Sequence, residues 1–361
     1  MLYLTKPNKM RQYNFPKKLI AALILCGFIG CQEAPKEEKT VVVRGNIEAD
    51  TTWTADKNYV LDQQVTVPSG VTLTIEPGTV IKANAGEAPS VSMLVVARGG
   101  KIMAKGTAEA PIIFTSINDN LDKENNIASA LNQEDVGLWG GIIILGNAPV
   151  SLANGDKETF YVGLDPNEKS SYYGGDQNED NSGEMEYVSI RHGGIFIGTG
   201  SESNGLTLCG VGANTKISHL EIYANQDDGI ELFGGSVNVS NLIVHASGDD
   251  AIDIDEGYTG TISNFLVELT ERSDNALEIS GGQGESVGAF TLSNGTIDGG
   301  GLEEGNVYSI DEKAEGKINN ILAKNVNEGA AVIASNEKVT VEKSEEQQAE
   351  LNFDWARARQ K

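Results

Sequence analysis

The chain is poor in cysteine, histidine and positive charge, and it shows no long helical periodicity before its last twenty residues or so. Of 3 cysteines, Cys26 and Cys31 sit near the N-terminus and only Cys209 stands in the body of the chain. No disulfide can form within that body, and a cysteine-based metal or redox cluster is excluded, so stability must come from packing. Beside Leu206 and Leu208, Cys209 is expected to behave as a small buried hydrophobe. With 27 basic against 52 acidic side chains, the surface repels nucleic acid and anionic membrane, and it suits cations, neutral glycans or basic protein partners. The apolar run Leu19–Ile29 has 11 residues, whereas a membrane-spanning helix needs roughly 20.

That run follows five basic residues (Lys6, Lys9, Arg11, Lys17, Lys18) and ends at Gly30-Cys31, the layout of a secretory signal. Its tail, Phe28-Ile-Gly-Cys31, resembles a bacterial lipobox with phenylalanine in place of the usual leucine. The resemblance implies lipidation at Cys31, a signal peptide over 1–30 and a polar tether over 31–40. Lys36-Glu37-Glu38 resembles the surface-export signal of Bacteroidetes lipoproteins, which implies attachment to the membrane by lipid at the outer membrane or cell surface. Ordinary signal-peptidase cleavage with release of a free protein is the alternative. Either way, the chain beyond residue 30 carries 22 basic and 52 acidic side chains, a formal charge of −30.

Two stretches nearly repeat, Ile217–Leu232 and Val239–Ile254, offset by 22 residues. Weaker copies run Ile262–Val267 to Asp274–Ile279 and Ile318–Leu322 to Glu328–Ile333. Each copy holds two short alternating strands separated by a polar turn. A unit this small cannot bury its apolar face alone, so neighbouring copies must stack into a solenoid. Asn-Gly hairpin turns are scarce, which argues against an antiparallel sandwich. Stacking places Ile230, Ile252 and Leu277 inward, and Glu231, Asp253 and Glu278 outward.

Further motifs carry a family resemblance. Leu61–Lys82, Gly99–Thr115, Trp139–Ala148, Tyr173-Gly-Gly175 and Met185–Gly194 resemble right-handed parallel β-helix lipoproteins of the Bacteroidetes, with the pectin-lyase-like fold. The resemblance implies an all-β, single-domain parallel β-helix over 41–335. Polar insertions at 118–136 and 154–184 are expected to project as loops, and 336–361 to form a C-terminal cap with a short helix anchored by Leu351, Phe353 and Trp355.

Stacked repeats align Asp227, Asp249 and Asp274 in one column and Asp228, Asp250 and Asn275 in the next. Like charges about 4.8 Å apart repel unless they are solvated, protonated or bridged by a cation. Calcium bound by Asp227, Asp249 and Asp274 is one reading, and a water-exposed turn is the other. A second calcium candidate is Asp176, Asn178, Asp180 and Ser182, whose start resembles an EF-hand loop; Asn181 and Tyr187 depart from that pattern. Asn225–Gly229 and Gly248–Asp250 also resemble the aspartate motifs of polygalacturonases, which would make Asp228, Asp249 and Asp250 catalytic. The Gly-His-Gly that should follow is missing, since the last histidine is His245. Two functions therefore stand: a noncatalytic envelope protein binding a polysaccharide or a surface protein, and a polysaccharide lyase or glycoside hydrolase. A lyase needs a basic group as well as a cation, and no role falls to His192 or His219, while Arg272 reads as an exposed ion pair.

Overall fold

The computed structural model describes residues 40–86, 89–121, 129–198, 201–286, 288–301, 306–326, 336–344 and 354–357, all within a unit spanning Glu38–Lys361. Cys31, the apolar run before it and the second half of the fourth repeat lie outside the described residues.

The chain coils as a right-handed parallel β-helix, with 21 strands among the described residues joined in one continuous sheet. The 22-residue offset is one turn of that coil: Ile217 pairs with Val239, Leu220 with Leu242, Ile230 with Ile252 and Leu232 with Ile254. One coil further, Ile252 pairs with Leu277 and Ile254 with Ile279. All of these side chains are buried in one interior core. Strand alternation explains why, since on each straight segment alternate residues are aliphatic and face the axis.

Each long strand is bent by a single residue with a left-handed backbone. Tyr187, His219, Asn241, Asn264, Asn294 and Asn320 hold this place on successive coils, with φ between 51° and 59°. Asparagine tolerates that conformation better than other residues with a side chain, and the Asn320 amide donates to Asn294 Oδ1 at 2.8 Å along the column. The rings of Tyr187 and His219 continue it by stacking at 4.2 Å. His219 is thus a corner residue.

The outward face of the short-strand column changes character along the stack. One row reads Val95, Ile143, Thr207, Glu231, Asp253, Glu278, and the adjacent row Leu145, Cys209, Phe233, Asp255. Its apolar half needs a cover, and the insertion at 154–184 supplies it. There Glu158–Phe160 and Tyr172–Gly174 form an antiparallel hairpin, and Tyr161, Leu164 and Tyr173, joined by Leu152 and Ile197 from just outside the insertion, pack on Val95, Ile143, Leu145 and Cys209 as a second core. Cys209 is fully buried there.

The described part of the other insertion is tied down by side chains from two coils. Arg272 donates to the Gln133 carbonyl at 2.6 Å and pairs with Glu134 at 3.6 Å, and His192 Nδ1 meets the Asp135 carbonyl at 2.6 Å. Arg272 is therefore a clamp for a loop as well as one member of an ion pair. Near the C-terminus, Val339–Lys343 adds a parallel strand to Gly316–Lys324, and a helical turn forms at Asp354–Arg357. Trp355 and Ala356 pack on Ile243, Leu266 and Tyr187, so the turn covers a flank of the middle coils. Leu351 and Phe353 lie outside the described residues.

Candidate functional site

Where the outward face turns from apolar to acidic, the covering insertion ends. The step leaves a cleft of about 930 Å³. Phe160, Tyr161 and Val162 from the insertion and Phe196 from the hairpin Phe196–Gly198/Ser201–Glu202 line it. Asp227, Asp228, Glu231, Glu256 and Phe233 from the coils line it too, with Glu202 and Tyr173, and Tyr161 meets Phe233 edge to face with ring centroids 5.9 Å apart. Phe196 and Val162 remain about half exposed at the mouth, at 48% and 49%. Among the described residues lining this space, none is Lys, Arg or His.

The acidic turns are half buried, with Asp249 and Asp274 exposed and the residue after each of them inward. Asp228, Asp250 and Asn275 are 6%, 2% and 3% exposed. Each carboxylate accepts the N–H of the next coil, Asp228 Oδ1 from Asp250 at 3.0 Å and Asp250 Oδ1 from Asn275 at 2.7 Å. This column is therefore a side-chain ladder that satisfies backbone donors between coils, the reason an aspartate or asparagine recurs there.

The outer column closes in overlapping trios. One oxygen each of Asp227, Asp228 and Asp249 lie within 4.8 Å of one another, as do those of Asp249, Asp250 and Asp274. A third trio, Asp228, Glu231 and Asp253, lies on the strand side of the turns. The calcium candidates Asp227, Asp249 and Asp274 thus stand in line without converging on one point. Asp228, Asp249 and Asp250 form no trio of their own, and two of the three are committed to the ladder.

Asp176, Asn178, Asp180 and Ser182 lie on the insertion, away from the acidic columns. Asp180 accepts from Asn147 at 3.0 Å and from Ser182 at 3.2 Å, the Asn178 carbonyl accepts from Ser236 at 2.7 Å, and Asp176 is 77% exposed beside Lys157. These contacts fasten the insertion to the coils.

Burial dominates the electrostatics of the cleft. Asp227 is pushed up to about 7 by burial and then by the charges of Glu202 and Asp249. Burial takes Asp250 up to about 9, with Glu278 adding to it. Glu256 rises to about 7 through burial, held back by the Tyr173 hydroxyl, which donates to both its oxygens at 3.1 Å. Asp228, Glu231 and Asp253 are raised by burial first and by neighbouring carboxylates second.

Sequence reasoning placed Glu231 and Asp253 on the outer face but gave them no role, and it missed Glu202, Glu256 and the aromatic residues of the lining. The signal available was the loss of aliphatic residues at the outward positions after Thr207, which marks where the cover stops. Residues 45–361 match the model of a family described as the pectate-lyase-like β-helix domain. No curated protein and no solved structure matches the chain.

Proposed function

The chain belongs to the pectate-lyase-like β-helix domain family, and from that premise we propose that it is a lipid-anchored protein of the bacterial cell envelope whose cleft binds a neutral glycan without cleaving it. The observation that carries this reading is the lining of the cleft, which brings aromatic rings and carboxylates together. Aromatic faces pack against the C–H faces of sugar rings, and carboxylates accept strong hydrogen bonds from sugar hydroxyls. An anionic uronate would meet Glu202, Asp227, Asp228 and Glu256 with no lining cation to hold it, and β-elimination would lack a basic side chain. Cys31 would supply the anchor and place the cleft outside the inner membrane.

Titration of the purified protein with neutral and uronic-acid polysaccharides tests the binding. Saturable binding of a neutral polymer is expected, weakened tenfold or more by Phe196→Ala, a side chain exposed enough to leave the fold intact. Release of new reducing ends or unsaturated uronates would refute the noncatalytic reading. Cys31→Ser should move the protein from the membrane fraction to the soluble one.

A further inference from the structure

A neutral glycan accounts for the rings of the cleft better than for its charge. Glu202, Asp227, Asp228, Glu231 and Glu256 all line it, and among the described residues none of them forms an ion pair with a Lys, Arg or His. Sugar hydroxyls can use such oxygens as acceptors, but they bring no charge to offset the repulsion between them. Asp228 and Glu256 are only 6% and 7% exposed, and burial pushes both Asp227 and Glu256 up to about 7. Carboxylates taken out of water in this number favour a ligand that supplies positive charge.

Rings and acids are also interleaved. Glu231 and Phe233 stand two apart on the strand Ile230–Phe233, so their side chains leave the sheet on the same face. Phe233 packs against two tyrosines, with its ring centroid 5.9 Å from that of Tyr161 and 6.2 Å from that of Tyr173. Tyr173 in turn donates to both oxygens of Glu256 at 3.1 Å. Glu231 Oε2 accepts from the amide of Asn204, which is 1% exposed and whose own Oδ1 is buried with no hydrogen-bond partner. That oxygen is one more acceptor beside Glu231 for which the protein supplies no donor. Carboxylates set among aromatic rings are the surroundings of a desolvated ammonium group, which both attract.

We propose that the glycan held in this cleft carries an unacylated amino sugar, whose ammonium group is received by the carboxylates of Asp227 and Glu231 while its ring packs on the aromatic lining. The inference rests on the glycan reading above and narrows it: one unit of the chain is charged and the others are neutral. A pyranose bears its amine directly on the ring, so a single unit presents a C–H face to the aromatic side chains and a cation to the acids. A lysine side chain brings the same charge at the end of a flexible four-carbon stem. It would leave Phe196 and Val162, half exposed at the mouth, without a flat partner. The cleft, at about 930 Å³, is also wider than one alkyl stem needs and falls among sites that enclose most of a small ligand.

Calorimetric titration of the full chain tests this, in EDTA at about pH 6.5 and about 150 mM sodium chloride, where long-range attraction to the acidic surface is screened. The two ligands are chitin tetrasaccharide and the same oligomer with one N-acetyl group removed. The amine-bearing oligomer should bind at least tenfold more tightly. Glu231→Gln, which keeps an oxygen for the Asn204 amide, and Asp227→Asn should each cut that ratio at least threefold, whereas Asp274→Asn, outside the cleft lining, should leave it unchanged. Equal affinities for the two oligomers would overturn the amine and leave the glycan reading in place. Failure of both to bind would overturn it as well, and the polysaccharide titrations above then decide the glycan reading separately. A ratio that survives in both cleft variants, or that falls in Asp274→Asn, would trace the preference to overall charge and overturn the proposal. So would a peptide with a single lysine that binds as tightly as the amine-bearing oligomer, since the occupant would then be a protein.

Discussion

A single hydrogen-bonded pair shows how burial sets chemistry in the cleft. Glu256 is 7% exposed, and its carboxyl titrates near 7, not 4.5, because burial disfavours the charged form more than the Tyr173 hydroxyl favours it. The folded state therefore holds a proton that the unfolded state has released between those two values. Its stabilising contribution is fully present below about 4.5 and is lost as pH rises through about 7. Glu256→Gln is predicted to match the parent at pH 4 and to exceed it in stability by on the order of 3 kcal/mol at pH 8, read from urea denaturation at the two pH values. Tyr173→Phe should push the Glu256 titration higher still, because the charged form loses its donor; a side-chain carbonyl NMR titration reads this directly. Nothing in the sequence singled out Glu256, since its significance comes from an insertion that covers it from more than eighty residues away.

At the scale of the element, the repeat carried most of what could be known in advance. The offset between Ile217–Leu232 and Val239–Ile254 gave the register because a coil must return each side chain to the same face, and a slip by one would expose the core. The recurring Ser-Asn pairs before Leu242, Phe265 and Gly295 mark the left-handed corners. What the repeat could not show was how the insertions fold back, because their partners are outward positions that any coil leaves unassigned. Packing between coils also uses size exchange. Leu242, Phe265, Gly295 and Ile321 form one inward column, and a Cβ on Gly295 would lie 2.2 Å from Phe265 Cζ. The absent side chain at Gly295 makes room for the ring below it. Gly295→Val should destabilise the fold by about 2–3 kcal/mol through overpacking, and Phe265→Leu in the same chain should recover much of that loss, a coupling that a double-mutant cycle in denaturant measures.

Across the whole molecule, charge of one sign opposes folding and must be balanced by packing. The sequence carries a formal charge of −25, and the structure gathers many of the acids into stacked columns. Most ion pairs among the described residues involve at least one partly exposed side chain; the pair Arg191–Glu221, at 2.9 Å and almost fully buried, is the exception. Exposed pairs of that kind contribute little, so added salt should cost the fold less in lost attraction than it gives back in screened repulsion. Tm is therefore predicted to rise by a few degrees between about 20 mM and about 500 mM sodium chloride. Monovalent salt acts on the exposed outer column, where Asp249 and Asp274 meet water, and it reaches the buried trio of Asp228, Glu231 and Asp253 far less. A fall in Tm with sodium chloride would mean that attraction between unlike surface charges outweighs the repulsion within the acidic columns.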